Sequence, residues 1–415
     1  MEATLLTSAS QLAYKGVSMS KKKVLITAMS LNIGGAEKSL VNLLNLLDYE
    51  EADVDLLLFQ RWGDLIDQVP DEVNQISVPE IDVLYGGKPA VELAFGKRTA
   101  LKVLRYVASA MTLVAEKEFD RQRIWRWMHF YSKVTPKLRG RYDCAVSFSG
   151  GETFWYITEQ VNAARKVTFF HSDFANIDID VESHCRYLQS ADCIATISEA
   201  CAESLRGLFP SQAKKVHVVS NPSCVKLIRS LSKERVNDGF SGIGDVLRVV
   251  SVGRLDTPKG FDIAAKAASI AKANCGPRFE WIVVGDGPER AKIEKIIARE
   301  GIGDVFRLVG KKLNPYPYLA SAQLFVQPSR YEGKSVALDE ARIFRLPVLA
   351  TDYSSVNDQV NADVDGLVVP MDPEGVAEGL MRLANQPELL ESLARNAGSF
   401  DASSLEDISS FMKQI

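Results

Sequence analysis

The sequence predicts an α/β protein with two parallel β-sheets in tandem, each covered by helices. Apolar runs of strand length alternate with stretches of helical periodicity, which is the pattern of a parallel sheet with helical crossovers. One cycle of this alternation opens at 24–29, and a second, similar cycle opens at 246–253. The chain has 415 residues, too many for one compact core, so the two cycles indicate two domains.

Apolar runs predict six strands in the first cycle and five in the second. The first six are expected at 24–29, 55–59, 143–148, 166–171, 192–198 and 216–220, and the others at 246–253, 279–285, 305–310, 323–328 and 346–351. Residues 89–142 lack strand signals, which predicts a longer helical region there.

Two helices are predicted from apolar residues at helical spacing. The helix at 36–47 should face a core through Leu40, Leu43, Leu44 and Leu47. The final segment, 402–415, is expected to form one amphipathic helix with Leu405, Ile408, Phe411 and Met412 on one side.

Composition excludes several classes of protein. With 25% charged residues and a net charge of −4, the chain resembles a globular protein and not a general nucleic-acid binder. Its six cysteines have no CxxC spacing, so we expect reduced thiols in a cytoplasmic protein, without a disulfide framework or a zinc site. Residues 1–20 lack the features of a secretory signal and are expected to be a disordered extension, with Met19 as a plausible natural start.

Three turns that follow predicted strands carry the candidate chemistry, because ligands of open α/β sheets bind beyond the carboxyl ends of strands. The first turn contains Gly34 and Gly35. Two glycines allow a ligand to approach the backbone closely, and the helix that follows favours a phosphate. A tight turn that binds nothing would have the same sequence, and both interpretations stay open here.

The second turn spans 252–262 and contains Arg254 and Lys259. Two cations between a strand and a helix can neutralise a diphosphate leaving group without a metal ion. The alternative is a pair of solvated surface charges, which is the usual state of Lys and Arg.

The third turn lies within 328–351. Glu332 and Gly333 end a strand-to-loop segment, a helix is expected to start near Ser335, and the amides of 334–337 are candidates to face a phosphate or a sugar hydroxyl. Glu340 follows inside that helix. Carboxylates accept hydrogen bonds from sugar and ribose hydroxyls, although glutamates on a solvated helix face would look the same.

Taken in order, these motifs resemble those of retaining glycosyltransferase family 4. They are the early glycine pair, V-G-R-L…K-G at 252–260, V-G-D-G-P at 284–288 and E-G-x6-E at 332–340. The resemblance covers nearly the whole chain, most strongly 190–385. It implies a GT-B fold, with two Rossmann-like domains facing each other across a cleft. We therefore expect an acceptor domain at 1–222, a nucleotide-sugar domain at 223–398, and a C-terminal helix at 399–415 that returns to the first domain.

The resemblance also implies site residues. Arg254 and Lys259 would bind the donor diphosphate, Glu332 the transferred sugar and Glu340 the ribose, while His171 would lie near the reacting sugar. The catalytic set would be His171, Glu332, Arg254 and Lys259, and the donor-binding set would add Gly253, Gly285, Gly333, Lys334, Ser335, Val336 and Glu340. Gly34 and Gly35 would form the acceptor wall of the cleft, and Asp173 is the lesser candidate for a nucleophile or base.

The sequence departs from the family pattern at three places. Glu332-Gly333-Lys334-Ser335 stands where E-G-F-G is usual, and Arg345 replaces a glycine. The usual G-G-x-x-E is absent, with Tyr353-Ser354-Ser355-Val356 in its place. The E-G-K-S form resembles members that build bacterial surface polysaccharides such as capsule, and Lys334 is a candidate to contact an acidic or phosphorylated group.

The function that the resemblance implies is transfer of a sugar from a nucleotide sugar to a saccharide or lipid-linked saccharide, with retained configuration and without a metal or cofactor. UDP is the expected carrier, with GDP next. Asp-x-Asp triplets occur at 53–55, 178–180 and 363–365. In the other large glycosyltransferase fold such a triplet holds a divalent metal ion, but the two-sheet layout of this sequence favours structural roles for them. The rival functions are a non-catalytic GT-B partner, a nucleotide-sugar epimerase and a phosphorylase.

Residues 97–141 are strongly basic and rich in aromatics. The cations include Arg121, Arg123, Arg126, Lys133, Lys137, Arg139 and Arg141, and they alternate with Trp125, Trp127, Phe130 and Tyr131. Such a helix can lie on an anionic membrane on its cytoplasmic face, where a lipid-linked acceptor would be. Alternatively, the aromatics pack in the domain core and the cations face water. Nothing else supports base stacking, so no nucleic-acid partner is expected.

Overall fold

The computed structural model describes residues 21–86, 94–171, 179–241, 246–274, 279–399 and 401–415. They form two parallel sheets with helices on both faces, which confirms the predicted fold class. The N-terminal sheet has seven strands in the order β3-β2-β1-β4-β5-β6-β7, and the C-terminal sheet has six in the order β10-β9-β8-β11-β12-β13. In each sheet the first strands spread to one side and the later strands to the other, as in Rossmann-like domains.

The N-terminal strands are β1 Lys22–Ala28, β2 Ala52–Leu58, β3 Asn74–Ile76, β4 Tyr142–Ser147, β5 Ala163–Phe170, β6 Cys193–Thr196 and β7 Val216–Val218. The accompanying helices are α1 Gly35–Leu46, α2 Pro79–Leu84, α3 Phe95–Ala115, α4 Phe119–Arg126, α5 Ser132–Val134, α6 Glu152–Gln160, α7 Val181–Leu188 and α8 Glu199–Leu208. The next helix, α9 Val225–Leu231, packs in the C-terminal core. β3 was not predicted, because its three residues lie at the sheet edge and have no apolar alternation.

The C-terminal strands are β8 Leu247–Val252, β9 Phe279–Val284, β10 Phe306–Gly310, β11 Leu324–Gln327, β12 Val348–Thr351 and β13 Gly366–Val369. The accompanying helices are α10 Phe261–Asn274, α11 Arg290–Glu300, α12 Tyr316–Ser321, α13 Val336–Ile343, α14 Pro373–Asn385 and α15 Pro387–Gly398. The short α16 Ser409–Met412 packs in the N-terminal core instead. β13 was also missed. It is a four-residue edge strand that pairs only with β12 among the described strands.

Both faces of the N-terminal sheet carry an apolar core. Leu25 of β1 packs in one cluster, while its neighbours Val24 and Ile26 pack in the other, as the alternation of side chains along a strand requires. The leucines of α1 join the second cluster, and this confirms the predicted core-facing stripe at Leu40, Leu43, Leu44 and Leu47.

The region without strand signals is helical where the structure describes it. α3 and α4 lead into a π-helical turn, Trp127–Tyr131. Trp127 and Tyr131 are buried in the core. Their burial supports the core interpretation for these two aromatics and contradicts a membrane contact through them. No helix among the described residues is long and apolar enough to cross a bilayer.

The prediction of a single C-terminal helix at 402–415 was wrong. A 3-10 turn occupies Ala402–Glu406 and the short α16 follows it. The carboxylate of Asp407 accepts the amide of Ser409 at 2.8 Å, which starts a new turn and interrupts the helix. The interruption lets Leu405 pack in the C-terminal core and Phe411 in the N-terminal core. The chain thus returns to the first domain, and Lys22 Nζ donates to the carbonyl of Ile415 at 3.2 Å.

Candidate nucleotide-sugar site

Backbone-to-backbone contact joins the turns after β8 and β9. The amide of Gly253 donates to the carbonyl of Val284 at 3.0 Å. A Cβ on Gly285 would lie 1.8 Å from the carbonyl oxygen of Gly253, so no side chain fits there. The two glycines of the predicted donor set therefore bring the carboxyl ends of both strands into one surface.

The turn that carries Lys259 packs against the turn after β11. Gly260 has φ +67°, and a Cβ there would lie 1.9 Å from the carbonyl oxygen of Pro328. The amide of Arg330 donates to the carbonyl of Pro258 at 2.7 Å, which fixes the contact. As a result Lys259 Nζ lies 2.6 and 2.8 Å from the two carboxylate oxygens of Glu332.

Glu332 is the centre of a buried polar network. Its Oε1 atom accepts hydrogen bonds from Gln327 Nε2 at 2.8 Å and Ser329 Oγ at 2.7 Å, in addition to Lys259. Its carbonyl accepts from Ser355 Oγ at 2.8 Å. Sequence reasoning missed Gln327, Ser329 and Ser355. The available signal was the polar stretch directly after an apolar strand, because buried polar groups there need partners.

Arg254 differs from the rest of the set in its exposure. Its side chain is 70% exposed, and its ion pair is with Asp256, at 3.6 Å between Nε and Oδ2. A guanidinium held this loosely can turn towards a ligand without breaking a buried contact.

The start of α13 only partly fits an anion site. Ser335 caps this helix, because its Oγ accepts the amide of Leu338 at 3.3 Å. Its own amide, expected to face a ligand, instead donates to Gln359 Oε1 at 2.7 Å. Lys334 was a candidate to contact an acidic or phosphorylated group of a ligand. In the structure its side chain is largely buried, and its Nζ atom lies 3.8 Å from Oδ2 of Asp339, a residue of the same helix region. Burial raises the pKa of Asp339, and the charge of Lys334 opposes that shift.

Glu340 is fully buried and contacts the other domain. Its Oε1 and Oε2 atoms accept from Lys38 Nζ at 2.8 and 3.0 Å, and Oε1 also accepts from Tyr316 Oη at 2.9 Å. Lys38 lies in the first turn of α1, three residues after Gly35. Sequence reasoning missed both partners, since they are far from Glu340 along the chain.

The predicted acceptor wall meets the donor loop across the cleft. A Cβ on Gly35 would lie 3.5 Å from Cγ2 of Val336, and one on Gly333 would lie 3.2 Å from the carbonyl oxygen of His171. At Gly34 a Cβ would lie 2.2 Å from the Glu37 carboxylate, so glycine leaves room for that side chain. The structure thus brings residues of both predicted walls together.

His171 is held as a neutral imidazole. Its Nε2 donates to the carbonyl of Phe148 at 2.8 Å, and burial lowers its pKa to about 4. Within the described part of the chain, Nδ1 is buried without a hydrogen-bond partner. Asp173, the other candidate in this region, lies outside the described residues.

The described aspartates of the Asp-x-Asp triplets have local structural contacts. Asp55 accepts from Tyr142 Oη at 2.6 Å, and Asp180 caps α7 through the amide of Ser183. Asp365 accepts from the side chain and the amide of Asn361. Asp53 and Asp363 form long ion pairs, at 3.8 and 3.9 Å. Asp178 lies outside the described residues.

Comparisons with known proteins match part of this chain to glycosyltransferases. Residues 238–400 match the family model of glycosyl transferases group 1. An alpha-D-kanosaminyltransferase of Streptomyces kanamyceticus is 33% identical over 39% of this chain and 42% of its own length. The amylovoran biosynthesis glycosyltransferase AmsK of Erwinia amylovora is 34% identical over 33% of this chain and 36% of its own length. The chain thus spans less than half the length of these curated relatives.

Similarity to solved structures extends over both sheets. The structure of Anabaena Alr3699/HepE in complex with UDP covers 95% of this chain and 100% of its own, with a TM-score of 0.65 and 17% sequence identity. At this identity the likeness establishes the fold. The chain therefore has the GT-B fold, and its residues 238–400 are similar to the glycosyl transferases group 1 family.

Proposed function

We propose that the protein is a retaining, metal-independent glycosyltransferase that uses a nucleotide sugar, with UDP as the carrier. The observation that carries this proposal is the Lys259–Glu332 pair. It is held by a buried network at the carboxyl edge of the C-terminal sheet, close to the end of β5 that carries His171. A fixed cation beside a fixed carboxylate suits a ligand that joins a diphosphate to a sugar. The UDP bound in the HepE structure supports the choice of carrier.

From the charge of each site residue we infer its part in binding. Lys259 and the exposed guanidinium of Arg254 would neutralise the diphosphate, while Glu332 would accept hydrogen bonds from hydroxyls of the transferred sugar. Glu340 would accept ribose hydroxyls once Lys38 moves aside, with Tyr316 remaining to orient the carboxylate. Gly253, Gly285 and Gly333 would let the nucleotide sugar approach the backbone, since none of them presents a side chain.

The proposed transfer needs no strong protein base. The bond between the anomeric carbon and the diphosphate oxygen breaks, and the diphosphate leaves with the electron pair, which Lys259 and Arg254 stabilise. The acceptor hydroxyl attacks the same face, forms the new glycosidic bond, and passes its proton to the leaving phosphate oxygen. The neutral His171, without a positive charge of its own, would contact the sugar through hydrogen bonding. Asp173 is retained as the lesser alternative, as a nucleophile or base.

The acceptor is proposed to be a saccharide, free or carried by a lipid, in the synthesis of a surface polysaccharide such as capsule or of a glycolipid. We place the protein in the cytoplasm, peripheral to the inner face of the membrane, with region 97–141 as its contact. Because Trp127 and Tyr131 are buried, other residues of this region would have to make that contact.

Nucleotide binding tests the donor assignment most directly. Titration calorimetry with UDP, GDP, ADP and CDP, in the presence of EDTA, should show selective binding of one nucleotide. Arg254→Ala should raise its Kd by about 10–150-fold, as expected for a lost charge-assisted contact. Arg395→Ala is the matched control, because the Arg395 side chain is also 70% exposed. Binding to none of the nucleotides, even after magnesium is restored, would refute the donor site and favour a non-catalytic GT-B partner.

The stereochemistry needs a separate experiment. Once a donor sugar is found, proton NMR of the product in EDTA should show the same anomeric configuration as the donor. An inverted product would contradict the retaining mechanism. Turnover of the donor to an epimer without any acceptor would identify an epimerase instead.

A further inference from the structure

A pocket lined by arginines lies on the C-terminal domain, outside the residues assigned to the donor. It has a volume of about 320 Å³, and its cations are Arg229 of α9 together with Arg342 and Arg345 at the end of α13. A continuation of the pocket along α9 adds Lys226 and Lys233. Like charges gathered in one place repel one another, and a bound anion would relieve that repulsion.

Two carboxylates also line the pocket, and each is engaged by a backbone amide. Glu406 Oε1 accepts the first amide of α9 at 2.9 Å, and Asp401 Oδ1 accepts an amide of the following 3-10 turn at 3.0 Å. Within the part of the chain that the structure describes, neither Arg229 nor Arg345 forms an ion pair with a carboxylate. The acids therefore fix the walls of the pocket, and two guanidinium groups remain to bind an anion.

Arg345 occupies a backbone position that favours glycine. It ends α13 in the left-handed region, at φ 60°, and its amide donates to the carbonyl of Arg342 at 2.9 Å. The amide of Leu346 donates to the carbonyl of Ala341 at 3.2 Å, which completes a Schellman motif. Glycine is usual at this position because it has no Cβ to strain. An arginine kept there at a cost to stability is typical of a side chain that binds something.

Packing also places the Arg345 side chain. A Cβ on Gly398, at the end of α15, would lie 3.6 Å from Cδ of Arg345, so the stem of the arginine passes over this glycine. The stem is thus supported by α15, while the residue as a whole is exposed. Such support lowers the entropy that the guanidinium group loses when a ligand binds.

We propose that this pocket binds a phosphate group carried by a soluble small molecule, with Arg229, Arg342 and Arg345 as its ligands. Guanidinium groups present paired donors that match the oxygens of a phosphate, and they keep their charge at every physiological pH. A concave pocket of a few hundred cubic ångströms suits a small ligand and not an extended polymer.

The pocket lies where the chain crosses between the domains. α9 is the first helix after the crossover into the C-terminal domain, and the 3-10 turn lies on the return path. The amide of Ser223 joins these two segments by donating to the carbonyl of Leu405 at 2.8 Å. Arg342 also lines a neighbouring polar cavity with Lys334 of the donor loop. A bound phosphate would therefore hold both crossing segments against α13. Only an effect on donor binding would rest on the proposed function.

Titration calorimetry of the full chain with inorganic phosphate, at an ionic strength held constant with chloride, tests the proposal. The wild type should bind phosphate, and Arg229→Ala and Arg345→Gly should each raise the Kd by about tenfold or more. Arg299→Ala is the matched control, because Arg299 is a 67% exposed arginine of α11 in the same domain. Arg254→Ala should leave the phosphate Kd unchanged, which separates the pocket from the donor site.

The backbone of Arg345 provides a second measurement. In phosphate-free buffer Arg345→Gly should raise the melting temperature, because it removes the left-handed strain, although it binds phosphate more weakly. Asp363→Gly is the matched control, since Asp363 is the other described non-glycine residue with a positive φ, also 60°. It should raise the melting temperature without changing phosphate binding.

Four outcomes would decide against the pocket or separate it from the donor site. Wild-type protein that binds no phosphate, or an Arg229→Ala or Arg345→Gly variant that binds it normally, would overturn the proposal. Binding lost only in Arg254→Ala would place the phosphate in the donor site and overturn it too. Binding to phosphatidylglycerol vesicles without binding of free phosphate would assign the pocket to a lipid headgroup and overturn the soluble ligand. A wild type that binds phosphate but no nucleotide would refute the donor site and support this pocket.

Discussion

Lys38 of the N-terminal domain and Glu340 of the C-terminal domain form a buried ion pair, 302 residues apart in the sequence, with Nζ–O distances of 2.8 and 3.0 Å. The lysine side chain is 11% exposed and the glutamate side chain 0%. The pair ties the two domains together at the carboxylate that the family resemblance assigns to ribose. If Glu340 binds the ribose of a donor, a ribose hydroxyl would therefore have to replace Lys38 as a hydrogen-bond partner of the carboxylate.

Removing Lys38 should destabilise the protein strongly. Lys38→Ala leaves a buried, unpaired carboxylate and should lower the free energy of unfolding by about 3–5 kcal/mol. Tyr316→Phe removes only one hydrogen bond to the same carboxylate and should cost about 1 kcal/mol. Urea denaturation of both variants measures the difference. Equal effects of the two substitutions would contradict a charge-based contact.

Lys259 should matter for nucleotide binding beyond its effect on stability. Lys259→Ala removes the cation from Glu332 and should raise the nucleotide Kd by about 10–150-fold, whereas Lys259→Arg should retain part of the affinity because it keeps the charge. Lys312→Ala is a matched control, since Lys312 forms an ion pair with Asp238 in the same domain. If Lys312→Ala weakened nucleotide binding as much, the effect would reflect general destabilisation.

The glycine contact between the turns after β8 and β9 predicts opposite effects of two alanine substitutions. Gly285→Ala places Cβ 1.8 Å from a backbone oxygen and should cost more than about 2 kcal/mol, because neither backbone can shift freely. Gly207→Ala lies in helix α8 with nothing within 4 Å of the new Cβ and should stabilise by about 0.5–1 kcal/mol. Thermal unfolding of both variants would check this, and equal melting temperatures would contradict the packing described.

Burial of His171 predicts a pH dependence of stability. Its pKa falls from 6.5 to about 4, so the unfolded chain binds this proton more readily than the folded protein. Stability should therefore decline as the pH drops from 6.5 towards 4, with this group contributing at most about 1.4 kcal/mol per pH unit. His171→Gln should flatten the decline in denaturation curves, and His217→Gln, at an exposed position, should not. An unchanged slope in His171→Gln would show that other groups dominate.

Local sequence patterns were sufficient for the elements with strong periodicity. The leucine stripe of α1 and most buried strands were predicted because burial forces a regular spacing of apolar side chains. The short edge strands β3 and β13 were not, since an edge strand of three or four residues leaves little pattern. The C-terminal segment was predicted as one helix from apolar spacing alone, but its apolar residues pack in two different cores.

By itself, the sequence determined the tandem α/β sheets and the glycine-rich and charged turns at the ends of their strands, because strand and helix periodicities are local properties of the chain. Tertiary structure decided which groups meet. It paired Lys259 with Glu332 and Lys38 with Glu340, gave the Ser335 amide to Gln359, and brought Arg229 into one pocket with Arg345. Such contacts join residues that are distant along the chain, and only the packing of the two domains brings their atoms within bonding distance.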